Sequence, residues 1–339
     1  MIAIRPFTEE WTDAVRGFNE RMAGSGFEYP VVPSPDHFLA IEDAKMRGGY
    51  ILRRQRFWIQ GEPRDVAHYR LPLSEGIRDR AYASLGLQLI RHALKQQPLL
   101  YALGMGGFEQ PLPRMLKALG WNLRAVPFLF KVNNAAGFLR NVQPLRKTPA
   151  RRVALDLAAD SGLGRLGLWF LQRRLRGTPD CEAMESFSPW ADAIWTSCSG
   201  LYGAIAEHDS VTLDTFYRDF AITRLKVGTA GWAVVLDTQM KGDQYFGDMR
   251  LGTIADCLAS PADAATVTAA TVRFLEQRGV DLIISNQLHP AWLAALKGCG
   301  FREGPSNYIF GVSKGLAELI PAGAEVHMNR GDGDGPIHL

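Results

Sequence analysis

Two stretches of this chain spell nearly the same thing. "LKALGWNLRAVPFLFKV" runs from Leu116 to Val132, and "LKGCGFREGPSNYIFGV" runs from Leu296 to Val312, 180 residues on and without a gap. Leu116/Leu296, Lys117/Lys297, Gly120/Gly300, Phe130/Phe310 and Val132/Val312 are identical pairs, and Trp121/Phe301, Phe128/Tyr308 and Leu129/Ile309 keep bulk in register. At the same offset Leu103 falls on Ile283 and Leu94 on Phe274, and further upstream the register is lost. Self-similarity at a fixed period restricts the fold more than composition does, and here it predicts two copies of one unit.

The periodicity of each half says what that unit is. In the first, "IAIRPF" reads as a strand and "TEEWTDAVRGFNERM" as a helix capped by Thr8, with Trp11, Val15 and Phe18 at helical spacing. "GGYILRRQRFWI", the turn "QGEPR" and "DVAHYRLPL" predict antiparallel strands. Tyr82, Leu85, Gly86, Leu89, Ile90, Ala93 and Leu94 line one face of an amphipathic helix. A short strand "LLYALGMG", a helix ended by Gly120 and a closing strand "WNLRAVPFLFKV" follow. The second half repeats this order. "ITRLKV" and "GWAVVLD" suit a hairpin, and "MRLGTIADCLA" a third strand. "ADAATVTAATVRFLEQRG" is a helix, "VDLIISN" a buried strand, "HPAWLAALKGCG" a helix and "FREGPSNYIFGV" the last strand.

The fold class is therefore mixed α/β, in two tandem units that each hold a mostly antiparallel sheet flanked by helices. The domains are expected at 1–139 and 181–322, with a basic linker at 140–180 and a tail at 323–339. At 339 residues, two domains are also what chain length predicts.

Composition excludes more than it selects. A hydrophobic share of 47% with 22% charged residues belongs to a globular protein, and a net charge of +3 favours no partner class. No apolar run is long enough to span a bilayer, and "MIAIRPFTEEW" has no signal-peptide pattern. Cys181, Cys198, Cys257 and Cys299 are scattered, which predicts reduced thiols in the cytoplasm and no zinc frame. Cys257 reads as a packed thiol, its nucleophilic reading being the weaker one. The tail "RGDGDGPIHL" has half the acids of a calcium loop and lacks the distal glutamate, so no metal is expected; Asp332 and Asp334 read as caps of a flexible turn.

Nine Arg or Lys against Asp156 and Asp160 crowd the segment Arg140–Arg176, whose middle reads "GLGRLGLWFLQRRLRG". A linker helix with solvated arginines is the simpler reading. The alternatives are peripheral contact with an anionic membrane through 150–176, or approach to an anionic substrate such as tRNA.

The order of elements, with "IRPFTEEW" at the start and "ALGW" or "GCGF" before the last strand, resembles the GNAT superfamily (GCN5-related N-acetyltransferase-like) of acyl-CoA-dependent N-acyltransferases. The resemblance covers most of both halves. It implies transfer of an acyl group from acetyl-CoA or another acyl-CoA to a small-molecule or peptide amine, without a metal. It implies a pyrophosphate loop, Q/R-x-x-G-x-G/A, opening the helix after the fourth strand. In the first copy that register falls on "AYASLG": Gly86 fills the last position, Ser84 replaces the middle glycine, Leu85 lies between them, and Ala81 stands where Gln or Arg is expected. Arg78 and Arg80 are the basic residues placed to compensate. In the second copy "ASPADAAT" puts Asp263 at the electropositive helix end after a Ser260 cap, which disfavours an anion. The donor is thus expected in the first copy.

For the chemistry, the fourth strand offers His68 or Glu75 as a base and Tyr69 or Tyr82 as an acid, with His68 and Tyr69 on opposite faces. Pro72 removes one amide from that strand. Glu109, Ser285, Asn286 and His289, at the ends of the two following strands, are the acceptor-binding candidates. Tandem relatives that move aminoacyl groups from tRNA, and a non-catalytic ligand-binding protein, are the alternatives; nucleic acid enters only under the first.

Overall fold

The computed structural model describes residues 2–161, 180–218 and 220–333. The chain forms β1 (Ala3–Phe7), α1 (Thr12–Arg21), β2 (Ser34–Glu42), β3 (Lys45–Ile59), β4 (Glu62–Ser74), α2 (Leu85–Gln96), β5 (Leu100–Gly104), α3 (Pro111–Ala118) and β6 (Asn122–Ala125). Thr8 precedes a 3-10 turn, Glu9–Trp11, and makes no side-chain cap; its hydroxyl donates to Glu10 at 2.9 Å. Gln60 and Gly61, with φ of 52° and 80°, make the tight turn between β3 and β4. Tyr82 lies in a separate 3-10 turn, Arg80–Tyr82, outside α2.

The two faces of this sheet are covered differently. Leu85, Leu89, Ile90 and Ala93 of α2 pack on Tyr50, Leu52, Ala67 and Tyr69, all buried. On the other face Val15 and Phe18 of α1 pack with Phe7, Leu39 and Ile51. Each fully buried aliphatic side chain of this kind contributes about 1.5–3 kcal/mol.

Past β6 the chain continues through β7 (Phe128–Val132), α4 (Ala135–Asn141) and α5 (Pro149–Asp160). In the described part of the basic segment Arg140 pairs with Asp160, and Arg146 pairs bidentately with Asp156 at 2.8 and 3.0 Å. "GLGRLGLWFLQRRLRG" lies outside the described residues. Then come β8 (Glu182–Met184), α6 (Pro189–Cys198), β9 (Ala204–Ala206), α7 (Ser210–Tyr217), β10 (Thr223–Val227), β11 (Gly231–Gln239), β12 (Arg250–Ala259), α8 (Ala264–Gln277), β13 (Leu282–Asn286), α9 (Pro290–Gly298), β14 (Arg302–Gly304), β15 (Ile309–Val312) and α10 (Lys314–Leu319). The α8 helix begins three residues later than Ser260 and Pro261 suggest. Ser260 accepts from the Asp263 amide and donates to its carboxylate at 2.7 Å, and Asp263 occupies the cap position without capping.

The repeated stretch breaks in both copies. "WNLRAVPFLFKV" divides at Val126–Pro127 into β6 and β7, and "FREGPSNYIFGV" divides into β14 and β15. The halves then part company. One sheet runs β1-β2-β3-β4-β5-β15-β6, and the other β14-β7-β13-β12-β11-β10-β8. Each copy thus gives its last strand to the other copy's sheet. One compact unit accordingly holds the residues up to Ala125 with Ile309–Ala322, and the second holds Val126–Tyr308 with the residues from Gly323 on.

Candidate functional site

In the first unit β4 and β5 run parallel, pairing Ala67 with Leu100 and His68 with Tyr101. Beyond that pair β4 continues to Ser74 and no longer pairs with β5 among the described residues. Opposite β3, Gly49 faces Leu73 whereas Ile51 faces Arg70, so Leu71 and Pro72 form a bulge, with Leu71 at φ 45°. A proline is at home there, because a bulged residue has no ladder bond to donate.

The opening leads toward the start of α2. Ser84 makes no cap, accepting instead from the Gln88 side chain at 3.1 Å. The amides of Leu85, Gly86 and Leu87 have no acceptor among the described residues. Three unclaimed N–H groups at the positive end of a helix dipole suit an anion. Leu85 brings only its amide, since its side chain is core. A Cβ on Gly86 would meet nothing closer than the Met115 sulfur at 3.7 Å.

The two basic candidates separate. Arg78 donates to the carbonyls of Arg21 and of Ala23, the latter at 2.6 Å, and so closes the end of α1. Arg80 is exposed and has no partner among the described residues.

His68 is buried with its ring stacked on Tyr101, centroids 4.5 Å apart and 9° from parallel. Burial, then Arg53 and Arg70, hold its pKa well below the ordinary value, so the ring is neutral. Its Nδ1 has no partner. Tyr69 projects from the other face, its hydroxyl buried and without a partner, and burial with Tyr50 and Tyr29 keeps the phenol protonated. Glu75 is held by two arginines, Arg21 Nε at 2.6 Å and Arg47 Nη1 at 3.0 Å, on different carboxylate oxygens. Tyr82 donates to Glu42 at 2.9 Å, the bond that raises its pKa, and lies under the Arg47 guanidinium. Glu109 is exposed just before α3.

The second unit has the same parallel pair, β12 with β13, from Leu251/Leu282 to Ile254/Ser285. Its opening, however, is filled by the chain. Residues 326–333 run through it, the Gly331 amide bonding Ala255 O at 2.7 Å and the Leu288 amide bonding Met328 O at 3.0 Å. Ser285 donates to Ile254 O, and Asn286 accepts from Arg330 at 2.9 Å. His289 caps α9 by accepting the Ala291 amide at 3.2 Å. All three are buried. Cys257 is also buried, 3.3 Å from the Gln287 amide nitrogen, and burial pushes its thiol far up. Asp332 is no flexible-turn cap: it is 3% exposed and accepts the Asn329 amide at 2.9 Å, while Asp334 lies outside the described residues.

No family model and no curated protein matches this sequence. Solved structures match its fold. A GCN5-related N-acetyltransferase from Anabaena variabilis ATCC 29413 superposes with TM-score 0.57 at 9% identity, over 91% of this chain and 72% of that one. N-myristoyltransferase of Saccharomyces cerevisiae, solved with bound myristoyl-CoA, gives 0.52 at 10% identity, over 92% and 78%. A GCN5-related N-acetyltransferase from Kribbella flavida gives 0.51 at 12% identity, over 91% and 71%. The fold is the GNAT fold, in tandem.

Each unit has its opening where the parallel strands part, and among the described residues only the second opening is occupied by the chain itself. The sequence reading missed the residues that do this. Asp256, buried at 2% exposure in the apolar run "LGTIADCLA", was the one visible sign of them. Among the described residues no group of three or more His, Cys, Asp or Glu is placed to hold a metal, and no helix is long and apolar enough to cross a membrane.

Proposed function

We propose that this chain is an acyl-CoA-dependent N-acyltransferase whose first unit receives the donor. The observation that carries this is the contrast between the openings: the first leads to unclaimed amides at α2, and the second is taken by residues 326–333. In this reading the donor's pyrophosphate rests on the amides of Leu85–Leu87, with Arg80 as the cationic partner. An extended, amide-bearing arm then lies between β4 and β5, as a strand added to two free edges. Its thioester end reaches the level of His68 and Tyr69.

There an amine attacks the thioester carbonyl, the C–N bond forms, and the C–S bond breaks to release the CoA thiolate. The neutral His68 imidazole is the proposed acceptor of the ammonium proton, directly or through water. Tyr69, kept protonated by burial, is the proposed donor to developing negative charge. Glu75 and Tyr82 already have partners and hold the loop between β4 and α2 in place. Glu109, exposed before α3, is proposed to draw in the acceptor's positive charge.

The test is thermal melting with millimolar acetyl-CoA, longer acyl-CoAs or tRNA, since a ligand of the native state raises the midpoint by mass action. Acyl-CoA should raise it, and Gly86→Glu should abolish that shift while leaving the unliganded midpoint within about 2 °C, as surface changes are near neutral. A shift with tRNA alone would favour an aminoacyl-tRNA donor. No shift with any of them sinks the enzyme reading.

A further inference from the structure

The occupied opening of the second unit is fastened by charge. His208 follows β9, and its Nδ1 lies 2.6 Å from the carbonyl of Ala206. Its Nε2 lies 3.4 Å from Asp256 on β12 and 3.6 Å from Asp332 on the C-terminal segment. Asp256 further accepts from Tyr217 of α7 at 2.5 Å, from the Cys257 amide at 2.8 Å, and from Asn329 of the segment at 2.7 Å. We propose that His208 is the latch of the second unit: its bridge between Asp256 and Asp332 keeps residues 326–333 in the strand opening, and breaking it frees them.

Two carboxylates buried this close cannot both stay ionised without a cation between them. The imidazolium supplies it. Without that charge Asp332, the member carried on the movable segment, gains by leaving for water. Of the titratable groups, Asp256 faces His208 from β12, and Asp332 and His327 face it from the segment; Tyr217 of α7 and the Cys257 amide reach it only through Asp256. Trp195 of α6 and Trp232 of β11 complete the walls, with ring centroids 6.1 and 5.7 Å away. Burial alone would lower the His208 pKa; Asp256 first and then Asp332 outweigh it and raise it to about 9. The latch is therefore closed at neutral pH and opens on the alkaline side. Segment release exposes the Ala255 carbonyl and the edge of β13, an opening like that of the first unit.

Hydrogen exchange on the full chain tests this through the amides of His327 and Gly331, which bond Ala204 O and Ala255 O. Their protection factors, corrected for intrinsic rate, should fall by up to about tenfold between pH 7 and 10 relative to Ile283 in β13, since release removes only the Asp332 share of the coupling while Asp256 stays beside His208. His208→Gln should show the low protection already at pH 7, without the pH trend, and Asp332→Asn should remove the trend as well. A wild-type profile that stays flat from pH 7 to 10 overturns the latch, whether or not the variants fold. So does a folded His208→Gln chain protected like wild type.

Discussion

Leu129 and Ile309 hold the same place in the repeated sequence, and each is paired in the sheet begun by the other half of the chain. Leu129 stands opposite Ser285 of β13, and Ile309 opposite Gly104 of β5. Both are inner strands: β7 has β13 on one side and β14 on the other, and β15 lies between β5 and β6. The exchange covers edges that would otherwise present free N–H and C=O groups.

Leu129→Ala should consequently damage the second unit, although Leu129 sits in the first half of the sequence. The side chain is fully buried among Ile283, Leu296 and Phe301, so the loss is about 2–5 kcal/mol. Hydrogen exchange mapped by peptide should show it in β12 and β13, with β2–β4 unaffected. Loss of protection in β2–β4 with β13 intact would contradict the exchanged pairing.

Glu75 makes a second prediction, because its surroundings argue for anchoring. Arg21 and Arg47 converge on its two oxygens, and the Arg47 side chain is only 17% exposed. Glu75→Ala leaves that guanidinium only the longer Glu42 pair at 3.7 Å and should cost about 1–3 kcal/mol in urea unfolding. Glu75→Gln, which keeps the shape and loses the charge, should fall between. If the enzyme is active, kcat should follow the folded fraction. A loss of kcat in fully folded Glu75→Gln would instead make the carboxylate catalytic.

What the sequence made legible was what periodicity and pairwise similarity encode. Gly120 and Gly300 do sit at helix ends with φ of 80° and 90°, and Leu116 and Leu296 are buried in equivalent places. Which sheet a strand joins is not a periodic property. Phe128–Val132 looks the same wherever it pairs, and only Pro127, which cannot donate in a ladder, marked the break. The contents of the second opening were hidden for a related reason. Asn329, Arg330 and Asp332 read as a polar tail, and their burial depends on Asp256, Asn286 and His208, which are far away in sequence.

The histidines should give stability a maximum near pH 6.5. His208, raised to about 9 from 6.5, contributes stability that is fully present below 6.5 and is lost as pH rises through 9. The gap corresponds to about 3 kcal/mol. His327 acts oppositely. Burial first, then the His208 charge, lowers it to about 3, so below pH 6.5 the unfolded chain takes up a proton that the folded chain refuses. His37, His68, His92 and His289 are lowered too and steepen this acid limb. Urea unfolding at pH 5, 6.5 and 9 should show both declines, with His208→Gln flattening the alkaline one and softening the acid one, since His327 loses a cationic neighbour. An alkaline decline that persists unchanged in that variant would place its origin elsewhere.

Gly331 tests the fit of the C-terminal segment without touching a charge. A Cβ at this position would lie 2.4 Å from the Tyr217 hydroxyl and 2.8 Å from Cβ of Asp256. Neither can retreat, since Tyr217 is bonded to Asp256 and both are buried. Gly331→Ala should therefore destabilise by about 1–3 kcal/mol, the usual cost of overpacking a close-packed interior. The nearer clash is with an atom that Tyr217→Phe removes. In that background the alanine penalty should shrink, giving a coupling of about 0.5–3 kcal/mol between the two positions in a double-mutant cycle. Additive effects would mean that the segment does not pack against Tyr217 and Asp256, and the second opening would then lack its occupant.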